Sequence, residues 1–169
     1  GLRDASRAPQ GRLRVLLPIS FARTTVIPAL GVFQDKYPDL SLEFVLKDDA
    51  RNFIEDGFDV AVQTAVMEDS RVTVRTLNRG EHVTIASKEY LKRRGDGYRE
   101  AALAGLGIAQ ATWWLFRRDL DDGQVVPLLT EYRTGATPIN VMFPAGPKQP
   151  PKVRAFINLL VQITKNSVR

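Results

Sequence analysis

Apolar residues change their period several times along this chain, and each change marks an element. The segment Arg12-Leu13-Arg14-Val15-Leu16-Leu17 becomes continuously apolar, which predicts a strand buried on both faces and therefore central in a sheet. Pro18-Ile19-Ser20 closes it. From Phe21 the apolar residues fall at helical spacing through Val26, Ile27, Leu30 and Phe33 to Tyr37. Pro28 removes one backbone donor inside that run and predicts a kink in its first turns. Tyr37-Pro38-Asp39 ends the helix, and Ser41-Leu42-Glu43-Phe44-Val45-Leu46 alternates like a second strand. A short helix is expected from Ala50 to Glu55, ending at Gly57 as a left-handed cap. Phe58-Asp59-Val60-Ala61-Val62 reads as a third strand. Strand, helix, strand, helix, strand in this order is an α/β signature with a mostly parallel sheet.

The second half is more broken. Val72 to Leu77 and Glu81 to Ala86 read as two further strands. Ser87 can cap a helix from Lys88 to Arg94, and Arg99 to Ala104 reads as another, ending at Gly105. Gly107-Ile108-Ala109 is a short buried strand, Trp113 to Arg118 a helix, Asp121-Asp122-Gly123 a turn and Val125 to Leu129 extended. Ile139 to Phe143 is the last strand. The final helix, Lys152 to Thr164, places Val153, Phe156, Ile157, Leu160 and Ile163 on one face.

Composition narrows the chemistry. The 169 residues include no cysteine and one histidine, His82, which removes disulfides, thiolate metal sites, iron–sulfur clusters and most zinc chemistry. A net charge of +5 invites a nucleic-acid reading. The cations are dispersed, however: residues 1–95 hold 15 Lys and Arg against 13 Asp and Glu, and residues 96–169 hold 9 against 6. Only Arg3, Arg7, Arg12 and Arg14 form a basic arm, a solvated linker or a phosphate-touching one. No run approaches the ~18–20 apolar residues of a membrane span. The first residues lack the apolar stretch of a signal peptide, so the cytoplasm is expected.

The segments Gly11 to Val15, Pro18-Ile19-Ser20-Phe21-Ala22, Pro28-Ala29-Leu30 and Phe33 to Leu40 resemble, in this order, the start of the effector-binding domain of LysR-type transcriptional regulators. Glu55 to Val62, Ala86 to Leu91, Ala101 to Ala109, Asp119 to Leu129 and Pro151 to Ile157 continue the likeness. It covers residues 11–165. The resemblance implies a type II periplasmic-binding-protein-like α/β fold, two Rossmann-like lobes joined by two crossover strands. Residues 1–10 would be linker, 11–84 plus 141–169 lobe one, and 85–140 lobe two. It further implies a small-molecule effector between the lobes, a cytoplasmic homodimer with the helix Ala22 to Lys36 against its partner's lobe two, no cofactor and no membrane. DNA would be contacted only through a winged helix-turn-helix domain, and no such segment precedes Gly11. Two departures stand out. Only Asp96 to Glu100 separate a segment like Tyr90 to Gly95 from one like Ala101 to Ala109, so lobe two is expected to be incomplete near Gly95. Gln63 stands where the family's strand usually ends in arginine.

Six residues are candidates for effector contact. Ser20 opens the first helix, where free N–H groups suit a carboxylate; it is alternatively an ordinary cap. Phe21 beside it either touches the ligand or packs. Gln63 orients a polar ligand or is an inert hinge residue, and Thr64 is a hinge-side hydroxyl. Asp49 caps the helix Ala50 to Glu55 or meets the ligand. Gln110, at the end of its strand, would reach the ligand from lobe two. Trp113-Trp114 is read as packing and His82 as structural.

Metal and dinucleotide sites are not expected. Taken as a calcium loop, the segment around Asp119 to Gly123 would put Arg118 and Leu120 at ligating positions. Gly105-Leu106-Gly107 follows a helix and precedes a strand, the reverse of a dinucleotide loop. Catalysis by Ser20 would need His82 within about 3 Å, and the chain offers no oriented third member. The expected protein is therefore not an enzyme but a ligand-sensing regulatory domain, with an exported solute-binding protein as the competing reading.

Overall fold

Strand β1 (Gly11–Leu17) holds the middle of a parallel trio. It pairs with β2 (Leu40–Leu46) in the register Gly11 to Leu40 through Leu17 to Leu46. On its other side it pairs with β3 (Val60–Gln63), Val15 opposite Val60. The computed structural model describes residues 8–64, 68–88, 103–104, 108–132 and 135–165. The chain divides into two units, one made of the chain up to Asn78 with the chain from Pro138 onward, the other of Arg79–Thr137.

In the first unit both faces of β1 are covered, as its continuous apolar run predicts. Leu13, Val15 and Leu17 are fully buried. Leu16 joins Ala50, Phe53, Phe58, Ala61 and Met142 in a separate cluster. The last helix, α4 (Pro151–Lys165), buries Val153, Ala155, Phe156, Ile157, Leu160 and Thr164. The Phe156 ring sits 5.9 Å from both Phe33 and Phe44, tying α4 to the first helical run and to β2. Strand β7 (Ala136–Pro144) pairs antiparallel with β3, Gln63 opposite Asn140.

Charged side chains lock the amino-terminal edge of this sheet. Asp59 accepts from the Arg14 amide at 2.9 Å and is paired with Lys152 Nζ at 2.8 Å. The Arg14 guanidinium donates to the carbonyls of Asp56 and Gly57 and lies 4.6 Å from the Phe58 ring centre. Arg12 and Arg14 both pair with Glu43, and the bond from Arg12 holds that carboxyl below its usual range. Half of the expected basic arm is thus neutralised within the sheet.

Three elements differ from the sequence pattern. The helical run after β1 starts as α1 (Ile19–Phe21), widens to a π-helical turn at Ala22–Val26, tightens to a 3-10 turn at Ile27–Ala29 and resumes as α2 (Leu30–Lys36). Pro28 sits in the 3-10 turn. Its missing donor and ring break the regular ladder there. The helix expected from Ala50 to Glu55 is instead a chain of turns, with Phe53 N–H bonded to Ala50, Asp56 N–H to Asn52 and Gly57 N–H to Ile54. Six residues are too few to repay helix nucleation, whereas burying Ala50 and Phe53 needs only turns. Gly57 does take the left-handed conformation, at φ +73°.

The third difference is the fusion of two expected strands into one, β4 (Val72–Ser87), 16 residues long. Tertiary contacts hold the junction at Asn78 and Gly80. Asn78 donates to the Thr164 carbonyl at 2.8 Å. Gly80 lies under the Trp114 ring, where an added Cβ would fall 1.8 Å from a ring carbon.

In the second unit β4 pairs antiparallel with β5 (Ile108–Thr112) and with β6 (Val125–Leu128). Helix α3 (Trp113–Asp121) buries Trp114 and Phe116. The small core is Ile85, Ala109, Phe116 and Val125. A mostly parallel sheet is therefore realised in β2-β1-β3, while β7 and the described strands of the second unit pair antiparallel. The helices expected at Lys88 to Arg94 and Arg99 to Ala104 lie largely outside the described residues.

Candidate functional site

Because β2, β1 and β3 are parallel neighbours, their carboxyl ends share one edge of the first unit's sheet. Ligands of such sheets collect at that edge. Four of the six expected contact residues follow those ends: Ser20 after β1, Asp49 after β2, Gln63 as the last residue of β3 and Thr64 next to it. Backbone bonds hold the exits together. Lys47 N–H donates to the Leu17 carbonyl at 2.9 Å, and Ile19 N–H reaches Asp48 Oδ1 at 3.4 Å.

Each side chain then behaves differently. Ser20 is exposed, and its carbonyl accepts the Thr24 hydroxyl at 2.9 Å. It is not the cap: Pro18 occupies that position, and no side chain caps the turn. Ser20 thus stands exposed in a very short helical turn after β1. Phe21 is 2 % exposed, so its ring belongs to the core and steadies that turn. Thr64 is exposed in a bend.

Asp49 is engaged locally. It accepts the Arg51 amide at 3.0 Å and the Arg51 guanidinium at 2.7 Å. Those bonds from Arg51 lower its carboxyl to about 2. Asp49 also lines a pocket of about 280 Å³ with Lys47, Arg51, Asn52 and Asp56, a polar hollow the sequence reading did not anticipate.

Gln63 is 7 % exposed, and its Oε1 is buried without a hydrogen-bond partner among the described residues. Across the ladder, Asn140 is fully buried; its Oδ1 accepts the Thr76 hydroxyl at 2.9 Å while its Nδ2 has no partner among the described residues. Asn140 and Thr76 were not among the expected residues. The available signal was a lone amide inside the apolar run Ile139-Asn140-Val141-Met142.

Gln110 belongs to the second unit. It is exposed on β5, and its Nε2 donates to Thr84 Oγ1 at 3.4 Å. His82 lies in the same unit and shares a 3.0 Å bond with the Thr137 hydroxyl. Among the described residues no cluster of three or more His, Cys, Asp or Glu could hold a metal ion, and no helix is long and apolar enough to cross a membrane.

A family model described as the LysR substrate binding domain matches residues 6–98 and again 94–164. The chain belongs to this LysR family. An HTH-type transcriptional repressor of Pseudomonas aeruginosa is 25% identical over 211 residues, spanning 96% of this chain and 67% of that protein. The HTH-type transcriptional regulator CrgA of Neisseria meningitidis serogroup C is 24% identical over 207 residues, 95% of this chain and 69% of that one. Among solved structures, CrgA superimposes with a TM-score of 0.80 at 23% identity, covering 92% of this chain and 69% of that chain. The CrgA regulatory domain alone gives 0.79 at 22% identity, covering 91% and 98%. The fold is accordingly the periplasmic-binding-protein-like α/β fold of LysR regulatory domains. The chain is a LysR regulatory domain, which corresponds to about two thirds of a whole regulator and nearly all of an isolated regulatory domain.

Proposed function

We propose that this LysR domain senses a small-molecule effector at the carboxyl edge of β2-β1-β3, with Ser20, Gln63 and Thr64 contributing. The match of the family's model along both halves of the chain carries the reading. The geometry supports it by gathering Ser20, Gln63 and Thr64 at one strand-end edge. In this reading Asp49 holds the turn after β2 and Phe21 the core beneath Ser20, rather than the ligand. Lobe one is residues 11–84 plus 141–169 and lobe two residues 85–140. Effector binding favours one arrangement of the protein over another and so shifts a population. A dimer communicates that shift to helix-turn-helix domains that contact DNA.

Several companion statements belong to the same proposal. The protein works in the cytoplasm and is not an enzyme: its relatives are transcriptional regulators, and His82 is bonded to Thr137 in a unit that does not contain Ser20. Transport is not favoured, for the same relatives carry HTH-type names. Lobe two is incomplete near Gly95. The two family-model segments meet at residues 94–98, and the 211 aligned positions exceed the chain's 169 residues by at least 42.

A thermal-shift screen of small carboxylates, followed by calorimetric titration of wild type and Ser20→Ala, tests the site. One neutral hydrogen bond is worth about 0.5–1.5 kcal/mol, so affinity should fall roughly threefold to tenfold while the fold survives. A folded variant with unchanged affinity would place the site elsewhere.

A further inference from the structure

Two buried polar atoms on paired strand positions have no hydrogen-bond partner among the described residues. Gln63 and Asn140 are directly opposed in the antiparallel β3–β7 ladder, so their side chains leave the sheet on the same face. The Thr76 hydroxyl pins Asn140 by its oxygen, which leaves the Nδ2 end free. Gln63 turns its own oxygen, Oε1, inward. A buried amide atom that has lost water and gained no partner is held at a desolvation cost that folding does not recover. Two such atoms on paired positions point to a missing third party.

The chemistry of that party follows from the pair. Oε1 needs a donor, and Nδ2 needs an acceptor. A carboxylate would satisfy Nδ2 and confront Oε1 with like partial charge, while an ammonium would do the reverse. A hydroxyl both donates and accepts. We propose that Gln63 and Asn140 form a buried slot for one neutral hydroxyl, filled by a water molecule in the resting protein and by an effector hydroxyl in the bound one. The second half rests on the proposed function, because Gln63 ends β3 at the edge where Ser20 lies. The first half does not. Where a site is built to hydrogen-bond a hydroxyl, it discriminates strongly against the analogue lacking it.

The decisive measurement for the slot is a high-resolution crystal structure without ligand. A single water within hydrogen-bond distance of both Gln63 Oε1 and Asn140 Nδ2 is expected; the two amides bonded directly to each other, or a side chain filling the gap, overturns the slot. A thermal-unfolding cycle of Gln63→Met, Asn140→Leu and the double variant gives a second readout. With a shared water the double variant should lose less than the sum of the singles, and strict additivity counts against it. If Asn140→Leu does not fold, Asn140→Ser takes its place in the cycle. The effector half is read from matched probes, lactate with propionate and tartrate with succinate. The hydroxylated member should bind at least tenfold more tightly, and Gln63→Met should remove that preference. Equal or better binding of the unhydroxylated member overturns the effector half. A bridging water with no binding of any probe counts against the carboxylate-effector reading and leaves the slot as a hydration site.

Discussion

Asp49 shows how a residue can stand where ligands bind and still be engaged in local structure. Its carboxylate is fastened to the amide and guanidinium of Arg51, two residues on, and its pKa falls from 3.8 to about 2. The sign of the linkage follows. As pH drops, the unfolded chain takes up the Asp49 proton first, so the pair's contribution is complete above about pH 4 and is lost as pH falls towards 2. Both side chains are solvent-exposed, and solvent screening keeps that contribution small. Nuclear magnetic resonance titration of the Asp49 carboxyl should give a midpoint near 2 in the wild type, moving up towards 3.8 in Arg51→Ala. A wild-type midpoint already at the ordinary value would mean that the pair does not form in solution. Spacing suggested a helix cap at this position; no helix follows, and the carboxylate instead accepts the Arg51 amide at the start of a run of turns. The neighbouring Arg51, one of many dispersed cations, gave no sequence signal that it would be the partner.

Among the elements, β4 depends most on its neighbours. Two strands were expected here, yet it runs unbroken because Gly80 makes room for the Trp114 ring and Asn78 is held by the end of α4. Gly80→Ala forces a Cβ to within 1.8 Å of that ring, and overpacking of this kind typically costs about 1–3 kcal/mol. Thermal denaturation should show the loss, and Trp114→Leu should reduce the penalty when combined with it. An unchanged midpoint would mean the ring swings aside freely. Helix α4 is the opposite case, legible in advance from its period. Phe156 is fully buried between Phe33 and Phe44. Phe156→Ala should cost about 3–5 kcal/mol in urea unfolding, and a loss below 1 kcal/mol would show that the surrounding rings close the cavity.

For the whole molecule, the first helical run bears on assembly. Val26 and Phe33 are buried, but Val32 is 80% exposed and Ile27 47%, an apolar surface that a partner subunit would cover. If the domain is the expected dimer, Val32→Asp should shift it towards monomer in sedimentation at tens of micromolar, and a dimer indifferent to that change would lie on another surface. The central place of β1, the apolar face of α4 and the mostly parallel pairing of the first strands were legible because hydrophobic period records burial, and burial follows from the local pattern. Ser20, Asp49, Gln63 and Thr64 were legible as strand-end residues for the same reason. What each does was not. Whether residues 72–87 form one strand or two, whether residues 50–55 coil into a helix, and that Asn140 stands opposite Gln63 all depend on partners distant in the chain. A side chain's hydrogen-bond partner across a ladder is set by strand register, and only the packed tertiary structure chooses that register.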